Sequence, residues 1–120
     1  MNVQDILDVL SSSDIILEIT VIVLIQEPRR QALRAIAQLT GGYTLYINEA
    51  LGKDFRRYSY YFQKGEQMVK KWDNAPHWPN LKTFSHHFHI DSEKSALECR
   101  EVFIEDVLKE MKTNIRLKEY

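Results

Sequence analysis

The chain has 120 residues, 44% hydrophobic and 28% charged, with sixteen Lys and Arg against seventeen Asp and Glu and a formal net charge of -1. That composition excludes a disordered or fibrous chain, and without a global basic field any nucleic-acid contact has to come from a local patch. One compact domain over 1–120 is expected, large enough to fold without disulfides or metal, and the lone Cys99 fits a reducing cytoplasm.

Val3, Ile6, Leu7 and Leu10 recur at helical spacing until Ser11-Ser12-Ser13 ends the pattern, so a short N-terminal helix is predicted. Ile15–Ile25 is β-branched and Leu-rich and reads as a strand covered on both faces in its second half. At eleven residues, interrupted by Glu18 and Thr20, it falls short of the about 20 apolar residues of a membrane-spanning helix. The N-terminus lacks the basic start and apolar run of a signal peptide, and cytoplasmic residence is the expectation.

"RQALRAIAQL", residues 30–39, holds good helix formers but also alternates Leu33, Ala35, Ala37 and Leu39 against Arg34, Ile36 and Gln38. Gly41-Gly42 before "YTLYINEAL" supplies the positive φ angles of a tight turn, so the segment is predicted as one arm of a hairpin. Lys64-Gly65 marks a second hairpin between 55–63 and 66–72. Pro76 and Pro79 make 74–80 a loop, and Phe84 to Ile90 is short enough for one more strand. Ser95 and Glu98 have the form of a capping box, which predicts a helix from about Ser95 to Asn114 with Cys99, Val102, Phe103, Val107 and Met111 on its buried face. The fold class is therefore α+β, an antiparallel sheet of about five or six strands carrying a short N-terminal and a longer C-terminal helix.

All four histidines lie in "DNAPHWPNLKTFSHHFHID", residues 73–91. In an extended segment His87 and His89 share a face, roughly 6.6 Å apart at about 3.3 Å per residue, while His86 and Phe88 take the other. With an unperturbed pKa near 6.5, one imidazole can accept a proton while another donates one, the requirement of phosphodiester transesterification. Arg56, Arg57, Lys70, Lys71 and Lys82 are nearby cations, and Tyr58, Tyr60, Tyr61, Trp72 and Trp78 could stack bases. An aromatic strand is more often sheet core, the basic positions suit a solvated face, and Cys99 reads as a small buried hydrophobe.

The stretch "YSYYFQKGEQMVKKWDNAPHWPNLKTFSHHFH", residues 58–89, resembles the TumE-type toxins of prokaryotic toxin-antitoxin systems. Their pattern runs from a tyrosine-rich strand through an aromatic-Asp-Asn-x-x-His-His turn to Thr-Phe-Pro-His-His-Lys-His. The likeness follows the order of elements over roughly 14–114. Trp78, Ser85 and Phe88 depart from it, Phe88 standing where the family has a lysine. The resemblance implies a cytoplasmic prokaryotic protein silenced by a helix-turn-helix antitoxin, and points to Asp73, Asn74, His77, His86, His87 and His89, with Tyr58, Tyr60 and Glu49 behind them.

The leading expectation is a toxin acting as a metal-independent endoribonuclease. His87 and His89 serve as acid and base, His77 is a third imidazole, and Asp73 orients a ring. Arg57, Tyr58, Tyr60, Lys71, Asn74, Lys82 and His86 bind RNA, and no cofactor is required. Two alternatives stand beside it: a non-catalytic module that binds an antitoxin, and a hydrolase or nuclease with a divalent metal on His77, His87 and His89. An exposed sheet edge would allow a homodimer.

Overall fold

The structure is a computed structural model that describes residues 2–117. The first helix, α1 (Val3–Ser12), starts at a reciprocal box: the Asn2 side chain accepts the Asp5 N–H at 2.9 Å and the Asp5 carboxylate accepts the Asn2 N–H at 2.9 Å. It buries Val3, Ile6 and Leu10, three positions of the predicted face. Seven strands follow: β1 (Ile16–Glu27), β2 (Arg30–Leu39), β3 (Tyr43–Gly52), β4 (Phe55–Lys64), β5 (Gln67–Asp73), β6 (His87–Ile90) and β7 (Leu97–Glu98). They form one antiparallel sheet whose spatial order is the chain order, and α2 (Ile104–Leu117) closes the described chain. The fold is α+β, with seven strands in place of five or six. The seventh has two residues, too few for an alternation to mark it.

Alternation overrides helix propensity in β2 because the sheet puts Leu33, Ala35, Ala37 and Leu39 all in the core. Register aligns them with the strands beyond: Ala35 with Ile47 and then Tyr60, Ala37 with Leu45 and then Phe62. Against this inner face pack Val3, Ile6 and Leu10 of α1 and Ile104, Val107, Leu108 and Met111 of α2. Each such side chain stabilises the fold by about 1.5–3 kcal/mol of transfer free energy.

Two further expectations give way. β1 is not covered on both faces: it lies at the sheet edge, pairs with β2, and leaves Leu17 70% exposed along with Val21, Ile22 and Leu24. The C-terminal helix begins at Ile104 rather than Ser95. The Ser95 carbonyl is taken by His89 Nδ1 at 2.6 Å and Leu97–Glu98 pair with β6, so Ser95 lies in the bend before β7 and Glu98 in the sheet. The helix start is set instead by Asp106, whose Oδ2 accepts the Phe103 N–H at 2.9 Å.

Gly41 and Gly42 turn β2 into β3 at φ 80 and 81. A Cβ on Gly42 meets open space, whereas one on Gly41 would sit 3.2 Å from the Tyr43 ring. Gly42→Ala is therefore expected to destabilise by about 1–2 kcal/mol from backbone strain alone, and Gly41→Ala by more, as read from urea denaturation midpoints.

Candidate functional site

On the sheet face opposite the helices, register lines up five polar residues from five strands. Arg34 pairs with Asn48, Asn48 with Ser59, Ser59 with Asp73, and Asp73 with His87. The neighbouring row runs Ile36, Tyr46, Tyr61, Lys71, His89. Asp73 thus reaches the histidines as a strand partner rather than by a loop folding back.

His87 and His89 are 1% and 3% exposed although they lie on this outer face, because the flanking segments fold over them. His87 Nδ1 lies 2.8 Å from the Ser85 carbonyl, His89 Nδ1 2.6 Å from that of Ser95, and the Trp78 ring stands edge-on to His89 at 6.2 Å. The other nitrogens converge on one carboxylate: His87 Nε2 is 2.9 Å from Asp73 Oδ1 and His89 Nε2 is 3.3 Å from Oδ2. The Ala75 N–H also donates to Oδ1, at 2.9 Å. Lys71 Nζ stands 3.9 Å from Oδ2 and is held at 2.5 Å by Glu93, whose carboxyl that hydrogen bond keeps below the usual range.

Asp73 forms one end of a groove of about 450 Å³ over the outer face, lined also by Arg34, Asn48, Ala50, Arg57, Ser59 and Lys71. Arg34 and Arg57 are exposed, and Arg34 Nε donates to Asn48 Oδ1 at 3.0 Å. The small side chains of Ala50 and Ser59 leave room between the cations. The groove can therefore take a chain of phosphates and present it to the buried cluster.

A second polar cluster lies on the inner face. Glu49 is buried and receives Arg56 twice, at 2.7 Å and 3.3 Å, together with the Tyr60 hydroxyl. Arg56 Nη1 also reaches Glu101 at 3.1 Å, and its guanidinium lies over the Tyr58 ring at 4.0 Å. The Tyr58 hydroxyl takes the Val102 N–H at 3.3 Å and meets His86 Nδ1 at 2.9 Å. Asn74 ties this end together, accepting from the Tyr58 N–H and donating to the Arg56 carbonyl. Among the described residues, no buried side-chain nitrogen or oxygen lacks a partner.

Burial raises both phenols above their ordinary value; the Glu49 charge adds to this for Tyr60, and the Val102 N–H offsets part of it for Tyr58. A phenol that keeps its proton when folded but ionises near pH 10 when unfolded contributes stability that is fully present below pH 10 and lost above it. The loss is about 1.4 kcal/mol per pH unit per phenol. Urea midpoints are expected to fall steeply between about pH 10 and 12, less so in Tyr58→Phe.

Of the residues singled out from sequence, Asp73, His87 and His89 come together, Lys71 stands beside them, and Arg57 lines the same groove. Asn74, Tyr58 and Tyr60 are buried, and His86 is tied to Tyr58 on the other side of β6. His77 and Lys82 are exposed on the loop, where the Lys82 N–H donates to Glu98. Arg34, Asn48 and Ser59 were not anticipated; the glycine hairpins fix the β2–β3 and β4–β5 registers, but the β3–β4 pairing that joins Asn48 to Ser59 turns at Lys53-Asp54, which carries no glycine signal. Against known proteins, the model of a family described as Toxin TumE matches residues 6–116. No curated protein and no solved structure gives a significant match.

Proposed function

Since the chain belongs to the TumE toxin family, by a match running over residues 6–116, we propose that it is the toxin half of a toxin-antitoxin pair and acts by cutting RNA. Toxin-family membership implies an antitoxin partner; in this reading the partner carries a helix-turn-helix, and its co-expression restores growth. RNA is met in the cytoplasm, and no described helix is long and apolar enough to cross a membrane.

The observation that carries the RNA reading is a groove with Arg34, Arg57 and Lys71 on its walls and the Asp73, His87 and His89 cluster at its end. The cations hold successive phosphates and set the register of the strand, while Asn48 and Ser59 supply uncharged hydrogen-bonding groups. At the Asp73 end the ribose 2′-hydroxyl loses its proton and its oxygen attacks phosphorus. The 5′-oxygen leaves with a proton, giving a 2′,3′-cyclic phosphate and a 5′-hydroxyl. For an imidazole to serve as the base or acid, its Nε2 must first leave Asp73, since both nitrogens of each ring are engaged.

Purified protein is expected to cut single-stranded RNA but not DNA of the same sequence, which lacks the nucleophile. Arg34→Ala/Arg57→Ala should weaken RNA binding at least tenfold and flatten the plot of log K against log salt by about 1.4, the loss of two single-strand phosphate contacts. Equal cleavage of DNA, or RNA affinity unchanged in the double variant, would overturn the reading.

A further inference from the structure

The meeting of two imidazoles and a carboxylate has a consequence for charge. A carbonyl oxygen only accepts, so the Ser85 and Ser95 carbonyls fix the His87 and His89 protons on Nδ1. The lone pair of each neutral ring is then on Nε2, and both Nε2 atoms face Asp73 at 2.9 and 3.3 Å. Lone pairs and a carboxylate turned on one another repel unless positive charge lies between them. A single divalent cation satisfies all three groups at once.

We infer that Asp73, His87 and His89 form a metal site, with the two Nε2 atoms and the Asp73 carboxylate as ligands to one divalent transition-metal ion. The three ligand atoms lie within 4.8 Å of one another. His87 Nε2 is 2.9 Å from Oδ1 and His89 Nε2 3.3 Å from Oδ2, each close to the roughly 3.0–3.5 Å between adjacent ligands on an ion with bonds of about 2.0–2.2 Å, so each imidazole has its own carboxylate oxygen as neighbour. A backbone carbonyl on each Nδ1–H is the outer partner that metal-bound histidines use to fix ring orientation. Two imidazoles and one carboxylate select zinc, manganese, iron, cobalt or nickel over magnesium or calcium. Three protein ligands leave a position open to water or to a phosphate oxygen, and Asp73 sets that position at the groove.

The inference rests on the site of the proposed function but not on its substrate, so it is tested without RNA. Untagged full-length protein, stripped with chelator and titrated with cobalt(II), should bind one equivalent, develop visible d–d absorption and gain thermal stability. Asp73→Asn and His89→Asn, each checked for folding by circular dichroism, should bind at least about 100-fold more weakly. Folded wild type that takes up no cobalt would overturn the site, as would a folded variant that binds as tightly as wild type. One equivalent of cobalt bound by a protein that leaves RNA intact would sink the ribonuclease reading and keep the metal site. RNA cleavage that persists in chelator, with no cobalt uptake, would do the reverse.

Discussion

Arg56→Ala is expected to destabilise the protein by about 3–5 kcal/mol, because it leaves Glu49 charged and buried with its main counter-ion gone. The side chains of Arg56 and Glu49 are 14% and 1% exposed, and the carboxylate is on the sheet face that packs on the helices. Burial alone would lower the guanidinium pKa, but hydrogen bonding and charge from Glu49 reverse that and raise it, so the arginine stays cationic. The Tyr60 hydroxyl can still donate to Glu49 in the variant, but a neutral donor does not cancel a charge. The cation also stacks between Tyr58 and Phe103, 4.0 and 4.5 Å from their ring centres, and that packing is lost too. Glu49→Gln in the same background should restore at least half of the loss, since the buried charge is gone while an oxygen remains for Tyr60. Urea denaturation of the two single variants and the double variant makes the cycle, and a loss below about 1 kcal/mol in Arg56→Ala would show that water reaches Glu49.

Asp73→Asn is expected to abolish growth arrest and lower RNA cleavage at least about 100-fold while leaving the fold nearly as stable, a combination that Asp73→Ala cannot give. The amide keeps an oxygen for the Ala75 N–H and gains an NH₂ that can donate to an Nε2 lone pair, so neither the Ala75 N–H nor the carbonyl bonds that hold the rings are disturbed. What it lacks is the negative charge that gathers two imidazoles, or a cation, at the end of the groove. Alanine strands both rings and the Ala75 N–H together, at about 1–3 kcal/mol for each buried group left unsatisfied. A growth assay beside a denaturation curve separates the two variants. Full toxicity in a stable Asp73→Asn protein would remove Asp73 from the site.

The parts of this molecule that were legible in the sequence are those set by local periodicity. Alternation in 30–39 and the glycines at 41, 42 and 65 mark the hairpins, and a period of two puts His87 and His89 on one face. Position within the sheet is a different matter. The apolar run of β1 suits a central strand, yet the strand stands at the edge, because hydrophobicity reports a preference for burial and not which neighbours a strand receives. Ser95 and Glu98 looked like a cap because a four-residue pattern takes no account of a distant imidazole that claims the Ser95 carbonyl. Arg34 and Asn48 lie on separate strands, and only the register across β2 to β5 puts them in one row with Asp73.

The chain-order arrangement of the strands bears on synthesis. As the polypeptide leaves the ribosome, every strand from β2 onward finds the neighbour it needs already made, so folding can advance by short-range closures and exposes few unpaired edges for long. Asp73 emerges with the fifth strand, but the imidazoles come with the sixth, and the carbonyl that orients His89 lies later still, at Ser95. A nascent chain that has passed Asp73 but not reached residue 87 carries five of the seven strands and the carboxylate, yet neither imidazole, so the candidate site is among the last parts of the sheet to be assembled.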